Sequence, residues 1–264
     1  LNVARAEDLK VEDVLARSFA EFHAQKTVGN RESRLRHAII SLTRARDLIS
    51  LAFVGGEKST TALAGAAVAS TCANVSGNAV LVGLTSALLT LAGQAYGAKK
   101  YGEVAAWTQR AAVVMFFAAT CVSVGWTRMD RALVVLGQDA AIASAARAYL
   151  RGLTPGLFAY AGNACAQAFL QSQGTTRPQA VSGVAATMLH APVCAAFKAM
   201  GFGFVGPAYA TSVSTSSVLA WNCLFVRLRR TPNGVFRERD ESVARARDAE
   251  ETIDRIVETH VGLR

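Results

Sequence analysis

Charged side chains crowd the two ends of this chain and almost vanish between them, leaving uncharged stretches at 59–98, 111–127, 152–176, 178–197 and 199–226. A helix crosses a bilayer with about 20 mostly apolar residues. Four of the five stretches reach that length, and 111–127 reaches it by borrowing Ala106 and Trp107 before Arg110. The pattern predicts an all-α, polytopic membrane bundle of five to six helices. Its spans fall at about 60–93, 104–126, 141–171, 176–199 and 204–227. The first stretch has room for two short crossings around Gly77, although one long helix ending in Ala92-Gly93-Gln94 is simpler. A further span, at about 38–55, would carry Arg44, Arg46 and Asp47 near its middle. Each ionised side chain at a helix centre costs roughly 2.5 to 3.5 kcal/mol on insertion scales. The segment therefore crosses only if neighbouring helices shelter it, and otherwise lies as an amphipathic helix at the interface.

Composition sharpens this division. The chain has 264 residues, 52% hydrophobic, with 28 basic and 19 acidic side chains and a net charge of +9. Residues 1–58 hold 10 basic and 8 acidic groups and residues 227–264 hold 9 and 8, so both flanks are nearly balanced. Residues 59–226 hold 9 basic and only 3 acidic groups. A charged helical segment at 1–37, a membrane piece at 38–228 and a charged tail at 229–264 follow. In the tail, Val243, Ala246, Ala249, Ile253, Ile256, Val257 and His260 recur at helical spacing opposite charges of both signs. Such balance argues against nucleic acid as a partner; the expected partner is the lipid bilayer. Lys99, Lys100, Arg110, Arg177, Arg227, Arg229 and Arg230 fall on one side if each stretch crosses once, which places that side and both termini in the cytoplasm. The five cysteines, Cys72, Cys121, Cys165, Cys194 and Cys223, sit in apolar runs without a CxxC pair, so neither a disulfide framework nor a zinc site is encoded.

Nine phrases between 53 and 214 then appear in order. They begin with FVGG at 53–56, LAGAAVA at 63–69, ANVSGNAVLVGLTSALLTLAGQAYGAKKY at 73–101, QRAAVV at 109–114 and LGQD at 136–139. YLRGLTPGLFAYA at 149–161, FLQSQGTTRPQ at 169–179, LHAPVC at 189–194 and GFGFVGPAYATSVS at 201–214 complete them. In these phrases the chain resembles the plant and algal branch of the MATE transporters, the multidrug and toxic-compound extrusion family. The resemblance implies the first six spans, one lobe, of a twelve-span antiporter that exports small organic compounds or xenobiotics by alternating access. It implies a proton or sodium gradient as energy source, no cofactor, no enzymatic chemistry, and a vacuolar or plasma-membrane location. A second lobe, or a second copy, would complete the cavity, and this stretch alone is not expected to show proton-coupled efflux. The start at Leu1 instead of Met is read as a partial chain. Where the family's first span is apolar upstream of FVGG, this chain has the charged TRARD at 43–47, and beyond Arg230 the resemblance ends.

A second, short resemblance lies at 1–26. Val11, Glu12, Asp13, Leu15, Arg17, Ser18, Phe19, Glu21 and Phe22 are similar to a segment of superkiller-type exosome-associated RNA helicases. Neither a P-loop nor an acidic helicase box occurs, so helicase activity is not implied; a fused gene is one reading and an ordinary amphipathic helix another. The rival functional reading is a non-transporting, truncated or chimeric membrane-anchored fragment, at most an interaction module.

Polar side chains inside spans are costly and usually face a bundle interior or a cavity. Ser70, Asn74 and Asn78 recur every four residues with Thr85 further on, so they share one helix face. Tyr160, Asn163, Gln167 and Gln171 make a comparable stripe beyond Pro155, whose missing amide can kink the helix toward a cavity. These are the candidate cavity wall, with interhelical hydrogen bonding as the alternative role. The candidates for ion coupling are His190, the one titratable side chain inside the five spans, and Asp47 in the sixth. The eukaryotic branch that the chain resembles places its coupling acid in the second lobe. No catalytic or metal-ligating residue is expected. Gly201-Phe-Gly203-Phe-Val-Gly206 matches a dinucleotide-type glycine pattern but follows an apolar helix, so its glycines read as a tight turn. The sequon Asn74-Val-Ser76 lies in a span and is expected to be unmodified, and TSVSTSS at 211–217 reads as close helix packing.

Overall fold

A computed structural model of the chain describes residues 45–56, 59–175 and 177–229. The helicase-like segment, most of the charged flanks and the amphipathic tail lie outside these residues. The described residues are helical almost throughout, with no strand among them. Helix α1 covers residues 45–55. The long second helix, α2, runs Thr60–Gly97, followed by α3 at Tyr101–Trp126. A short α4, Met129–Val135, then leads into α5 at Ala140–Ser172, α6 at Arg177–Ala199 and α7 at Gly206–Arg229.

Local chemistry starts and stops these helices. The Ser59 hydroxyl caps α2 by accepting from the Ala62 amide at 3.2 Å, and Asp139 caps α5 by accepting from the Ala141 amide at 2.7 Å. Pro178 and Pro207 occupy first turns, where the missing amide costs nothing. Four ends close with the same device. Lys100 donates to Ala95, Gln138 to Leu133, Thr175 to Leu170 and Phe202 to Phe197, each after a residue in the left-handed region. That residue is glycine at 137, 174 and 201, and Lys99 at φ 60° in the fourth. Gly201 of the glycine-rich phrase is therefore a helix terminator. The second helix runs to Gly97, past the glycine at which the sequence suggested it would end, and α4 was not foreseen because seven residues carry no usable periodicity.

Among the described residues alanine makes up half of the buried apolar positions, with Leu, Met, Trp, Tyr and Phe in the rest and Ser, Thr and Asn buried beside them, while further large apolar side chains face outward, including Val113 and Phe117 at 72% and 71% exposure. Small residues let helix backbones approach closely where lipid supplies no hydrophobic drive between helices. Helices α2, α3 and α6 are long and apolar enough to cross a membrane by composition alone. Helices α5 and α7 are equally long but interrupted by uncharged polar residues that the bundle buries.

Helix α5 is the central post, packing against α2, α3, α4 and α7. A Cβ on Gly65 would lie 2.5 Å from Ala145, and Cβ atoms on Gly152 and Gly156 would lie 2.8 Å from Ala208 and from the Ser212 hydroxyl. At this α5–α7 crossing, Ser212 donates to the Gly152 carbonyl at 2.8 Å and accepts from the Gly156 amide at 3.1 Å. These two groups lie one turn apart on α5, beside Pro155, so a single hydroxyl grips the helix backbone at both. Asn222 adds a buried bond to Asn163 at 2.8 Å further along the same pair.

One end of the bundle carries an ion pair between α4 and α5, Arg147 to Asp130 at 2.8 Å, with both side chains partly exposed. Partial desolvation pushes the Asp130 carboxyl up. Hydrogen bonds from the backbone and the Arg147 guanidinium outweigh it and hold the group below its ordinary range. A depressed carboxyl stabilises the fold above its unfolded pKa of about 4, and that contribution disappears as pH falls through the lower folded value. Asp130→Asn is therefore expected to flatten the acid limb of a thermal-stability profile while leaving its shape near pH 7 unchanged. A second expectation concerns the crossing: Gly156→Leu should destabilise the bundle by roughly 2 kcal/mol or more through overpacking, read as a lower melting temperature in detergent.

Candidate functional site

Helices α1, α2, α5 and α7 border a partly open cavity of about 100 Å³ whose lining mixes polar side chains with Leu153, Leu157 and Ala73. Arg46, Asp47 and Ser50 of α1 line it, with Ser70, Asn74 and Asn78 of α2. Tyr149 and Tyr160 come from α5, Thr211 and Thr215 from α7, and Trp126 from the end of α3. The charged part of α1 is thus sheltered: Ala45, Ile49, Ser50 and Val54 are buried while Arg46 and Asp47 face the cavity. This is the condition under which a segment with central charges can sit at membrane depth.

A local change of helix type shapes the α2 wall. Residues Ala73–Asn78 form a π-helical turn, in which one extra residue widens the ladder, a feature that recurs at functional sites. Ser76 donates to the Cys72 carbonyl at 2.6 Å and accepts from the Trp126 indole at 2.9 Å. Gly77 makes room for that ring, since a Cβ there would lie 2.8 Å from the indole. Asn74 and Asn78 sit on the same turn, with the Asn78 amide donating to Asn74 at 2.9 Å. The sequon asparagine is therefore a cavity residue.

The two polar stripes divide between tasks. Asn74, Asn78 and Tyr160 line the cavity together with Ser70. Thr85 instead donates to its own helix at Leu81, and Asn163 is buried against Asn222. Gln167 and Gln171 meet Gln179 of α6, through the Gln167 carbonyl and the Gln171 amide, each at 3.2 Å. Each stripe keeps to one face but rises about 22 Å from Ser70 to Thr85 and about 16 Å from Tyr160 to Gln171, at 1.5 Å per residue, so its ends meet different neighbours. Sequence reasoning treated Arg46 as a cost to insertion and missed Ser50, Tyr149, Thr211 and Thr215. The i, i+4 spacing of the two threonines in TSVSTSS was the available signal; of that run, Ser212 serves packing and Thr211 and Thr215 serve the cavity.

His190 is fully buried, one hydrogen bond behind the cavity wall. Its Nε2 is 2.9 Å from the Ser50 hydroxyl and its Nδ1 is 3.0 Å from the Ser214 hydroxyl, so the ring ties α1, α6 and α7 together. Ser50 also lies 3.4 Å from Thr211. The expected result of His190→Ala is a loss of about 2 to 4 kcal/mol, from stranded hydroxyls and an added void; His190→Asn, which can keep one bond, should recover part of it. Chemical denaturation in detergent micelles measures both.

The fold defines an integral membrane protein built as one helical lobe, with a cavity between its helices. The model of the family described as MatE matches residues 40–196, more than half of the chain. Protein DETOXIFICATION 16 of Arabidopsis thaliana is 38% identical over 67% of this chain and 36% of its own length, and DETOXIFICATION 17 is 40% identical over 63% and 35%. The crystal structure of the eukaryotic MATE transporter AtDTX14 superposes with a TM-score of 0.67 at 32% identity, covering 70% of this chain and 42% of that one. A MATE structure in the bent conformation, 16% identical, shares the fold with a TM-score of 0.67 over 91% of this chain. The chain belongs to the MatE family. It spans little more than a third of the length of the curated relatives it matches.

Proposed function

We propose that this chain forms one lobe of a secondary active efflux transporter for small organic compounds or xenobiotics, completed by a second six-helix lobe or a second copy. The observation that carries this reading is the cavity, lined by the charged side chains Arg46 and Asp47 among polar neighbours and bordered by helices whose outer faces are apolar. Ionisable groups at that depth mark a pathway for ions or substrates, and binding sites between repeats are how such carriers alternate access. A cavity of about 100 Å³ is smaller than the roughly 300 to 1,000 Å³ of a typical ligand site. It therefore supplies one wall of the site, with the second lobe supplying the other. A proton or sodium gradient drives export; Asp47 in the cavity and His190 behind it are the coupling candidates on this side. The substrate crosses unchanged, so the protein needs neither an enzymatic centre nor a cofactor. By analogy with its plant relatives it works in a vacuolar or plasma membrane.

The test reconstitutes the full chain into proteoliposomes, alone and together with the second lobe of a plant relative, and follows export of anionic, neutral and cationic fluorescent dyes under proton or sodium gradients. Export is expected only with both lobes, and Asn74→Leu should reduce it at least tenfold. Absence of export with both lobes would leave a membrane-anchored, non-transporting fragment as the answer. Strong export by the chain alone would overturn the need for a second lobe.

A further inference from the structure

Helix α2 changes type where its packing asks for a longer repeat than its pitch provides. Buried positions recur on it every four residues, from Ala69 through Ala73 and Gly77 to Leu81. A regular helix turns about 100° per residue, so three successive steps of four would carry the buried line about 120° round the axis. The π turn at Ala73–Asn78 takes up that drift, its hydrogen bonds reaching five residues back, as from the Ala79 amide to the Asn74 carbonyl. Both halves of the helix thereby keep a buried face, with Leu63 and Ala66 before the turn and Leu88 and Ala92 after it.

Spacing asks for a widened turn between Ala69 and Leu81 but does not choose which turn. The Ser76 hydroxyl does. It donates to the Cys72 carbonyl of its own helix at 2.6 Å and accepts from the Trp126 indole of α3 at 2.9 Å. Trp126 is 3% exposed, and its ring closes over Gly77, where a Cβ would lie 2.8 Å away. Helix α3 therefore grips α2 inside the turn itself. Were the widened turn to slide along α2, the residues it passed would swing by up to about 100°, one residue's worth of rotation. Asn74 and Asn78 are those residues, and both line the cavity. Ser76 does not line it.

Resting on the reading of this cavity as part of a transport site, we infer that Ser76 and Trp126 are positioning residues, whose hydrogen bond pins the π turn of α2 and so presents Asn74 and Asn78 to the substrate. Trp126 also borders the cavity, so Ser76 is the position at which the effect is isolated.

The full chain in nanodiscs is followed by hydrogen exchange resolved along α2, as wild type, Ser76→Ala, Trp126→Phe and the double variant. Trp126→Phe keeps a ring over Gly77 and removes the donor. Each single variant should speed exchange of the 74–79 amides at least fivefold and leave 60–70 and 82–95 unchanged. The double variant should go no further than either single, because one bond is lost in all three. Ser76→Thr, which keeps the hydroxyl, should exchange like wild type. Additive effects in the double variant, or wild-type exchange in Ser76→Ala, sink the inference. If Trp126→Phe fails to fold, the Ser76→Ala and Ser76→Thr pair decides it. In the two-lobe proteoliposomes, Ser76→Ala should raise the half-saturating dye concentration at least fivefold with the maximal rate within twofold, and Ser76→Thr should restore it. An unchanged half-saturating concentration in Ser76→Ala would defeat this inference alone. No export by any two-lobe preparation, with the exchange pattern as expected, would defeat the transport reading alone and leave the pinned turn standing.

Discussion

One hydroxyl holds the centre of this lobe together. Ser212 of α7 bonds both the Gly152 carbonyl and the Gly156 amide of α5, two groups one helical turn apart, and so makes two bonds between the helices. In lipid an unpaired backbone group costs several kcal/mol, and the Ser212 hydroxyl ties the two helices through backbone groups one turn apart beside Pro155. Two glycines on α5, with Ala208 and Ser212 opposite, bring the backbones close enough for it. The α5 and α7 walls of the cavity are set by that crossing, because Tyr149 and Tyr160 flank it on α5 and Thr211 and Thr215 flank it on α7.

From this post the cavity is built by small departures from regular helix. The π turn at Ala73–Asn78 turns two asparagines toward the centre and seats Trp126 against Gly77. Helix α1 closes the remaining side, held from behind by the Ser50–His190–Ser214 chain. His190 has both ring nitrogens engaged, which accounts for its burial without any reference to proton movement. Charge enters the cavity only through α1, the segment whose sequence looked least suited to a membrane.

Much of the fold was legible in the sequence because charge is so unevenly distributed. The all-α bundle follows from uncharged runs that only helices can fill in lipid. The family follows from nine ordered phrases, and the MatE match bears that out. The site was legible only in part. Asn74, Asn78 and Tyr160 were readable as polar residues in apolar helices, but Thr85, Asn163, Gln167 and Gln171 obey the same rule and do different work. Periodicity reports the face of a helix and not the height along it, and height decides which neighbour a side chain meets. Arg46 could not be assigned from the sequence, since an arginine in an apolar segment is a defect or a site depending on the helices around it.

The small residues at the helix crossings have a consequence for how this chain tolerates change. In a soluble core, harm comes mostly from trimming a side chain; here half of the buried apolar positions among the described residues are alanine, and where the helices cross on glycine harm comes from growth. A methyl added at Gly65, Gly152 or Gly156 meets a neighbouring helix within 3 Å, while Phe117 or Val113 on the rim can be exchanged among apolar types with only lipid to notice. Variation across related chains should therefore be free in size outside and tightly capped in size within, so that the ceiling on side-chain volume, more than hydrophobicity, records where the helices touch.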